Sequence, residues 1–283
     1  MNNFLLITNQ KWLYYTYVCM KSMKLSKKPD SIYNVYVLCV GFSNDYLVQD
    51  LDSDDFKIIP IFLDKNVFTK SHNVGTVYYK LIIQNLIDVD YIFHIDSDSV
   101  VVSDLSDVFQ YKPKYLGAVL DRLYTGYYNM GNVIFNLKNL RSLDCYIPYA
   151  FSCDKTDWEI DIYDKSHQIN YLFEQDILNY IFKGRIEEIP YGYNVLPNLY
   201  TYRDERIWME KYHKKLSPSD VRIIHYAGVG EHTKPWQPPD EWFNQKWMDI
   251  WRAVEQDKSI DGLLKEACES QWKDYRSDSR KYS

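Results

Sequence analysis

Five residues that favour a buried strand, Tyr91, Ile92, Phe93, His94 and Ile95, run straight into Asp96-Ser97-Asp98. A second apolar run, Val100-Val101-Val102, follows at once. The first run suits a strand covered on both faces. Asp96 and Asp98 stand at i and i+2, so they share one face of an extended chain. At a strand end both can converge on one cation. Without positive charge between them they would repel. The pairing therefore predicts an α/β fold whose strand ends gather a divalent metal, and the metal in turn suits a phosphate-bearing substrate.

The preceding residues supply that fold. Residues 4–8, 34–40 and 56–62 read as strands, with Pro60 marking an edge. Residues 11–25 have helical character, and 45–51 suit a short helix. Residues 75–87 carry Val77, Leu81, Ile82 and Leu86 at near-helical spacing. Such alternation builds a nucleotide-binding α/β half, in which ligands bind beyond the carboxyl ends of strands. Neither GxGxxG nor GxxxxGK[ST] is present, so neither a dinucleotide fold nor a P-loop is indicated.

Further along, Ser103 or Asp104 is read as the cap of a short helix, with capping preferred to metal binding for Asp104. Residues 117–120 form a predicted strand leading to Asp121. Residues 132–135 form another, turning helical toward Tyr149. A polar loop spans 151–165. The helix predicted over 167–182 has Ile169, Leu172, Phe173, Ile177, Tyr180 and Ile181 on its apolar face. Asp176 falls on that same face, so it needs either an inward ion-pair partner or a function. A Tyr-, Pro- and Asn-rich loop covers 190–206, and 221–225 is a last strand ending in His225. Two terminal helices are expected over 240–253 and 258–276. The second mixes its charges, as a packed or solvated helix does rather than a membrane anchor.

Composition bounds the function. The length of 283 residues, with 46% hydrophobic and 25% charged, suits one large globular α/β domain or two small ones. The net charge of −6 argues against a nucleic-acid binder. The 27 Tyr and 8 Trp either line sugar- and base-binding clefts or reflect an AT-rich coding composition. Five scattered cysteines (Cys19, Cys39, Cys145, Cys153, Cys268) form no CxxC pair, which favours a reducing compartment. Residues 4–7 are too short for a signal peptide and lack a basic flank, and no stretch is long enough to span a bilayer. The expectation is a soluble cytoplasmic protein.

The metal shell needs a third ligand from another strand end, and His225 is the leading candidate, followed by the Gly228/Gly230 turn. Carboxylate and imidazole together suit Mn²⁺, or Mg²⁺, and Lys234 would add positive charge near the same phosphates. At this point HIDSDSVV, YNMGNVIFNLKNLR, EQDILN and IIHYAG…KPW resemble the motifs of glycosyltransferase family 8, which includes glycogenin and bacterial lipopolysaccharide galactosyl- and glucosyltransferases. They occur in the family's order over roughly residues 4–236. DxD alone is a weak signal; the set together is strong.

The resemblance implies a GT-A fold, with a Rossmann-like half, a central mixed sheet flanked by helices, and a helical C-terminal tail. It implies a catalytic domain over 1–240, divided into a nucleotide-sugar-binding half (1–104) and an acceptor half (105–240), with an extension over 241–283. The implied reaction is retaining transfer of a hexose from a UDP-sugar, glucose first and galactose second. By motif, Asp96, Asp98 and His225 would bind Mn²⁺. Thr8, Asn9 and Tyr14 would hold uridine, with Ser97 and Gly228 completing the nucleotide site. Lys80 would contact the donor; Asp121 and Asn129 would face its sugar, with Gly131 leaving room for close approach. Gln175 and Asp176 would stand beside the anomeric carbon, and Lys234 would bind the diphosphate. His225 and Lys234 are nine residues apart, a longer spacing than the family commonly shows. Glu174 stands where some relatives have Asp, which bears on sugar selectivity.

The acceptor would be a glycan or a protein, self-glycosylation on tyrosine included, met by loops 122–128, 151–165 and 190–206. A homodimer is the family-based expectation. Three other classes compete. Asp96-Ser97-Asp98-Ser99-Val100 also fits a haloacid-dehalogenase-type Mg²⁺ phosphatase, although the later acidic motif of that class is missing. A non-catalytic UDP-sugar-binding protein would bind the donor without turnover, whereas a glycoside hydrolase would need no metal.

Overall fold

The computed structural model describes residues 1–43, 50–64, 76–121, 126–143, 174–197, 217–227, 234–237 and 245–278, with side chains of the last helix described to 269. The chain opens with β1 (Asn2–Thr8), α1 (Leu13–Ser26), β2 (Tyr33–Val40) and β3 (Phe56–Leu63). A 3-10 segment (Thr76–Asn85) leads into β4 (Tyr91–Ile95) and β5 (Ser99–Val101). Then come a 3-10 turn (Ser106–Gln110), β6 (Leu116–Leu120), β7 (Tyr128–Asn136) and α2 (Leu137–Arg141). After α3 (Glu174–Ile181) and β8 (Ile186–Glu188), 3-10 turns at Tyr191–Asn194 and Pro218–Asp220 precede β9 (Ile223–His225). Two helices follow, α4 (Gln245–Glu255) and α5 (Asp261–Asp278).

Seven strands form one sheet in the order β3-β2-β1-β4-β7-β6-β8. The β3-β2-β1-β4 half is parallel, and β7 runs antiparallel to both β4 and β6. The central strands are buried on both faces, as their unbroken apolar runs require: Phe4, Leu5, Leu6, Ile92, Phe93 and Ile95 are all fully buried. Pro60 lies on β3, at the end of the strand order, where its missing N–H costs no ladder bond on the open side.

Three apolar clusters hold the layers together. On one face of the sheet Phe4, Leu6, Phe93 and Ile134 pack with Cys19, Met20 and Met23 of α1. On the other, Leu5, Ile92, Val133 and Phe135 pack with Tyr79, Leu81 and Ile83 and with Ile177 and Leu178 of α3. In the third, Trp247, Trp251 and Leu264 of the terminal helices cover Val100, Ile224 and Tyr226. The terminal helices thus cover the β5–β9 pair that positions His225. Among the described residues no helix is long and apolar enough to cross a membrane.

Several expectations need adjusting. The segment expected as a helix over 75–87 is a 3-10 run from Thr76. Its Thr76, Val77, Ile82 and Ile83 are β-branched, which weakens α-helical preference. The strand expected over 132–135 extends over Tyr128–Asn136. Its buried Asn129, Asn132 and Asn136 masked the pattern. The last strand begins at Ile223 rather than at 221. The turn after β5 has Leu105, not Ser103 or Asp104, at its N-cap. Asp104 instead accepts the N–H groups of Ser106 (3.0 Å) and Lys28 (2.9 Å) and the Tyr33 hydroxyl (2.8 Å). Burial pushes this carboxyl up, but those two backbone N–H groups, with the Ser31 and Ser106 hydroxyls, together more than offset it and hold it below the usual range. Most of the helix expected over 45–51, the stretch toward Tyr149, the loop 151–165, the first part of the 167–182 helix and residues 198–206 lie outside the described residues.

Candidate active site

The parallel half of the sheet ends at β4, and the first antiparallel neighbour, β7, brings Asn129, Met130, Gly131 and Asn132 alongside the Asp96-Ser97-Asp98 turn. Ile95 pairs with Asn132, and Asp96 N–H donates to Gly131 O at 3.0 Å. The small β5–β9 pair sets Ser99 opposite His225, and Tyr226 N–H donates to Asp98 O at 2.9 Å. Two separate strand pairings therefore deliver Asp96, Asp98 and His225 to one place. Each offers a ligand atom, all within 4.8 Å of one another.

Each carboxylate has one oxygen pinned and the other turned inward. Asp96 Oδ1 accepts from Lys80 Nζ and His94 Nε2, both at 2.9 Å, while Oδ2 lies 3.7 Å from His225 Nε2. Asp98 Oδ2 is held by Lys234 Nζ, and Oδ1 lies 3.2 Å from the same imidazole nitrogen. Two carboxylate oxygens and one imidazole nitrogen facing a common point fit a borderline or hard divalent cation such as Mn²⁺ or Mg²⁺.

The charges favour ionised ligands. Burial pushes Asp96 and Asp98 up, but Lys80 with His94 and His225 in the first case, and Lys234 with His225 in the second, together more than offset it, so both carboxyls sit below the usual range. Burial, then the Lys80 charge, depresses His94 to about 4, leaving a neutral ring at pH 7 that donates Nε2–H to Asp96. Burial alone would depress Lys80. Asp96 and Glu174 (Nζ–Oε1 2.8 Å) reverse this and hold it above its ordinary value, so it stays charged. Its third contact is Met130 O at 2.9 Å. Burial raises the Glu174 carboxyl despite the opposing Lys80 charge.

On the other side of β7, Gln175 Oε1 accepts Met130 N–H at 2.9 Å, and its Nε2 approaches Asp121 Oδ2 at 3.4 Å. Asn129 Nδ2 approaches the same Asp121 oxygen at 3.4 Å. Asp176 is 1% exposed, and its Oδ1 accepts the Tyr127 hydroxyl. Asp121, Asn129, Gln175 and the metal-ligand set thus form one contiguous polar cluster around β7. A side chain at Gly131 would meet the His225 ring, with a Cβ 2.1 Å from Cε1, so the room this glycine leaves is filled by His225.

The expected nucleotide residues lie at the end of β1 and the start of α1. Thr8 Oγ1 and Ser97 Oγ both contact Thr16 Oγ1, at 2.8 and 2.9 Å, in a buried hydroxyl cluster. Asn9 Oδ1 accepts the N–H groups of Lys11 and Trp12. Tyr14 is 56% exposed on α1, with Glu255 of α4 as a partner. Lys234 Nζ also donates to Tyr226 O at 2.8 Å and lies 5.9 Å from the Trp12 ring centroid. Trp236, two residues on, stacks on Tyr15 at 3.7 Å. Gly228 lies outside the described residues.

Four participants escaped the sequence reading. His94 was hidden in an apolar strand, although its i−2 position places it on the face of Asp96. Glu174 as the Lys80 partner, Tyr127 as the Asp176 partner, and Asn194 beside His225 are contacts between distant segments with no local signature.

A family model described as glycosyl transferase family 8 matches residues 3–239. A probable glycosyl transferase, Gly, of Streptococcus gordonii is 27% identical over 77% of this chain, and galactinol synthase 1 of Solanum lycopersicum is 23% identical over 67%. The chain spans only 32% and 61% of those two proteins. Among solved structures, an active-site mutant of LgtC superposes with a TM-score of 0.66 at 19% identity, covering 90% of this chain and 95% of that one. The glycosyltransferase GlyE of Streptococcus pneumoniae gives 0.66 at 19% identity, covering 94% and 62%. The architecture is the GT-A fold of these enzymes, and the phosphatase reading of the aspartate motif is left without support.

Proposed function

This chain belongs to glycosyltransferase family 8, and from that premise we propose that it moves a hexose, glucose before galactose, from a UDP-sugar to an acceptor hydroxyl with retention at the anomeric carbon. The observation that carries the reading is the convergence of Asp96 Oδ2, Asp98 Oδ1 and His225 Nε2, each carboxylate pinned from behind by a lysine. Mn²⁺, or Mg²⁺, held by these three would act as a Lewis acid toward the leaving diphosphate. Lys234 supplies a fixed positive charge on the same side, where negative charge develops as UDP departs. Asp121 and Asn129 take sugar hydroxyls. Gln175 and Asp176 face the positive charge growing at the anomeric carbon, and Tyr127 fixes the Asp176 carboxylate for that task. Lys80 holds Asp96 and lies at the donor end of the cluster. Thr8, Asn9, Tyr14, Ser97 and Gly228 make up the uridine and diphosphate side. The acceptor hydroxyl attacks from the face the leaving group vacates and passes its proton to the departing diphosphate oxygen, with Asp176 orienting the sugar.

In this reading residues 1–240 form the catalytic unit, with 1–104 binding the nucleotide sugar and 105–240 completing the sugar and acceptor sides. Within the extension over 241–283, α4 and α5 brace β9. The acceptor is a glycan or a protein hydroxyl.

The test is UDP production across a panel of UDP-hexoses, with Mn²⁺ and with chelator, for wild type and Asp98→Asn. Slow release from one donor is expected even with water as acceptor. It should be abolished by chelator and cut by about a thousandfold in the variant, as when a charged group that stabilises a transition state is lost. Release that persists in chelator would refute metal-dependent transfer. Binding of UDP-sugar without turnover, even with candidate acceptors present, would favour a non-catalytic binding protein.

A further inference from the structure

Asn194 is fully buried at the end of the Tyr191–Asn194 3-10 turn, and its carboxamide joins the metal-ligand set to the sugar side of the site. Its Oδ1 lies 2.8 Å from His225 Nδ1 and 3.0 Å from Asn132 Nδ2, and its Nδ2 lies 2.7 Å from Asn129 Oδ1. Amide oxygens and nitrogens are told apart only by their partners, and here backbone groups settle every orientation. Gly131 N–H donates to Asn129 at 3.0 Å, so the atom Asn129 turns that way is its oxygen. That oxygen also faces Asn194, which must therefore present its NH₂ group there. Asn132 is fixed independently: its oxygen accepts Asp96 N–H at 3.3 Å and its nitrogen donates to Tyr193 O at 3.1 Å. The Asn132 nitrogen accordingly faces the Asn194 oxygen. Both routes give the same answer, that Asn194 offers a carbonyl oxygen to His225.

We infer that Asn194 is a positioning residue that keeps the ring proton of His225 on Nδ1, so that Nε2 turns its lone pair toward Asp96 and Asp98. The competing state is close at hand. Asp98 Oδ1 is 3.2 Å from Nε2 and would accept a proton carried there, which would cap the nitrogen a metal needs. The buried Asn194 carbonyl opposes that, because a ring without a proton on Nδ1 would set two acceptors against each other at 2.8 Å. The same amide donates to Asn129, so the orientation of the metal ligand and that of a sugar-facing residue are coupled through one side chain. A partner on the distal nitrogen is how metal-binding histidines are generally oriented. What is particular here is that three backbone groups set the amide that sets the ring. The inference rests on the metal-dependent reading of the site only for its functional consequence; the proton position stands by itself.

Long-range proton–nitrogen correlation spectra of the metal-free protein report the proton position directly. The His225 signals are identified by their loss in His225→Gln. In wild type the proton is expected on Nδ1, and a ring protonated on Nε2 alone overturns the inference. In Asn194→Leu, which is close in volume, the proton should shift to Nε2, with Mn²⁺ affinity by calorimetry falling about 10- to 100-fold. Unchanged Mn²⁺ affinity in that folded variant also overturns it. Should the leucine variant not fold, Asn194→Asp carries the test, since it keeps the acceptor toward His225 but sets an acceptor against Asn129. Retained Mn²⁺ affinity with a raised donor KM supports the inference, and lost Mn²⁺ affinity contradicts it. Failure of wild type to bind Mn²⁺ would sink the functional reading instead, while the spectrum still decides the proton position.

Discussion

Gly131→Ala is expected to weaken metal binding and transfer together, and severely, while the protein remains folded. The added methyl would lie 2.1 Å from His225 Cε1, 2.7 Å from Nδ1 and 3.0 Å from Asp96 Oδ2. None of these neighbours gives way easily. The ring is held at Nδ1 by Asn194, and the backbone of His225 donates to Val195 O at 2.8 Å while pairing with Ser99. Asp96 is held at its N–H by Gly131 O and at Oδ1 by Lys80 and His94. Overpacking of this kind costs about 1–3 kcal/mol, which a domain of this size can absorb. Displacing two ligands at once should lower Mn²⁺ affinity by on the order of a hundredfold or more, beyond the effect of losing an outer partner. Calorimetric Mn²⁺ titration beside circular dichroism checks this. Wild-type affinity in the folded variant would mean that His225 is not a ligand.

Lys80→Met should produce the largest loss of stability among the site substitutions. It removes the cation between the partly exposed Asp96 and the buried Glu174, leaving Asp96 Oδ1 with His94 alone and Glu174 uncompensated. Breaking a buried pair by deleting one partner costs about 3–5 kcal/mol, a fall in thermal midpoint on the order of 10 °C. The loss should grow with pH. Burial already raises the Glu174 carboxyl in the presence of Lys80, and without that charge it must rise further. A carboxyl whose folded pKa exceeds its unfolded value binds a proton on folding. Stability contributed by the protonated form is therefore fully present below the unfolded value, about 4.3 for Glu, and is lost as pH rises through the folded one. The variant should consequently melt closer to wild type in acid than at neutral pH. Adding Glu174→Gln should recover part of the loss and flatten the pH dependence. Melting curves across pH for both variants test the claim, and a pH-independent single variant would contradict it.

What could be read from the chain follows physical locality. The strand ending in Asp96-Ser97-Asp98 is legible because a buried strand writes its burial into consecutive residues, and two carboxylates at its end have few structural uses. Asp176 stood out because a carboxylate on an apolar helix face needs a partner, which the structure identifies as Tyr127. The extent of β7 was not legible, since its buried asparagines look like loop until their partners are known. Each is satisfied by residues far along the chain, Asn132 by Tyr193 and Asn194 and Asn136 by Tyr91 and Pro113. Lys80 was reached only through the family resemblance. Its actual contacts, Asp96, Glu174 and Met130 O, depend on how α3 and β7 pack against the Thr76–Asn85 segment, which no local pattern encodes.

The proposed role of Asp96, Asp98 and His225 is to hold a divalent cation that organises the diphosphate of a UDP-sugar. Calorimetric titration of UDP into the protein, with Mn²⁺ and with chelator, addresses it most directly. Binding that requires Mn²⁺ and is lost in Asp98→Asn is the predicted result. Equal UDP affinity in chelator, or no UDP binding with Mn²⁺ present, would contradict it.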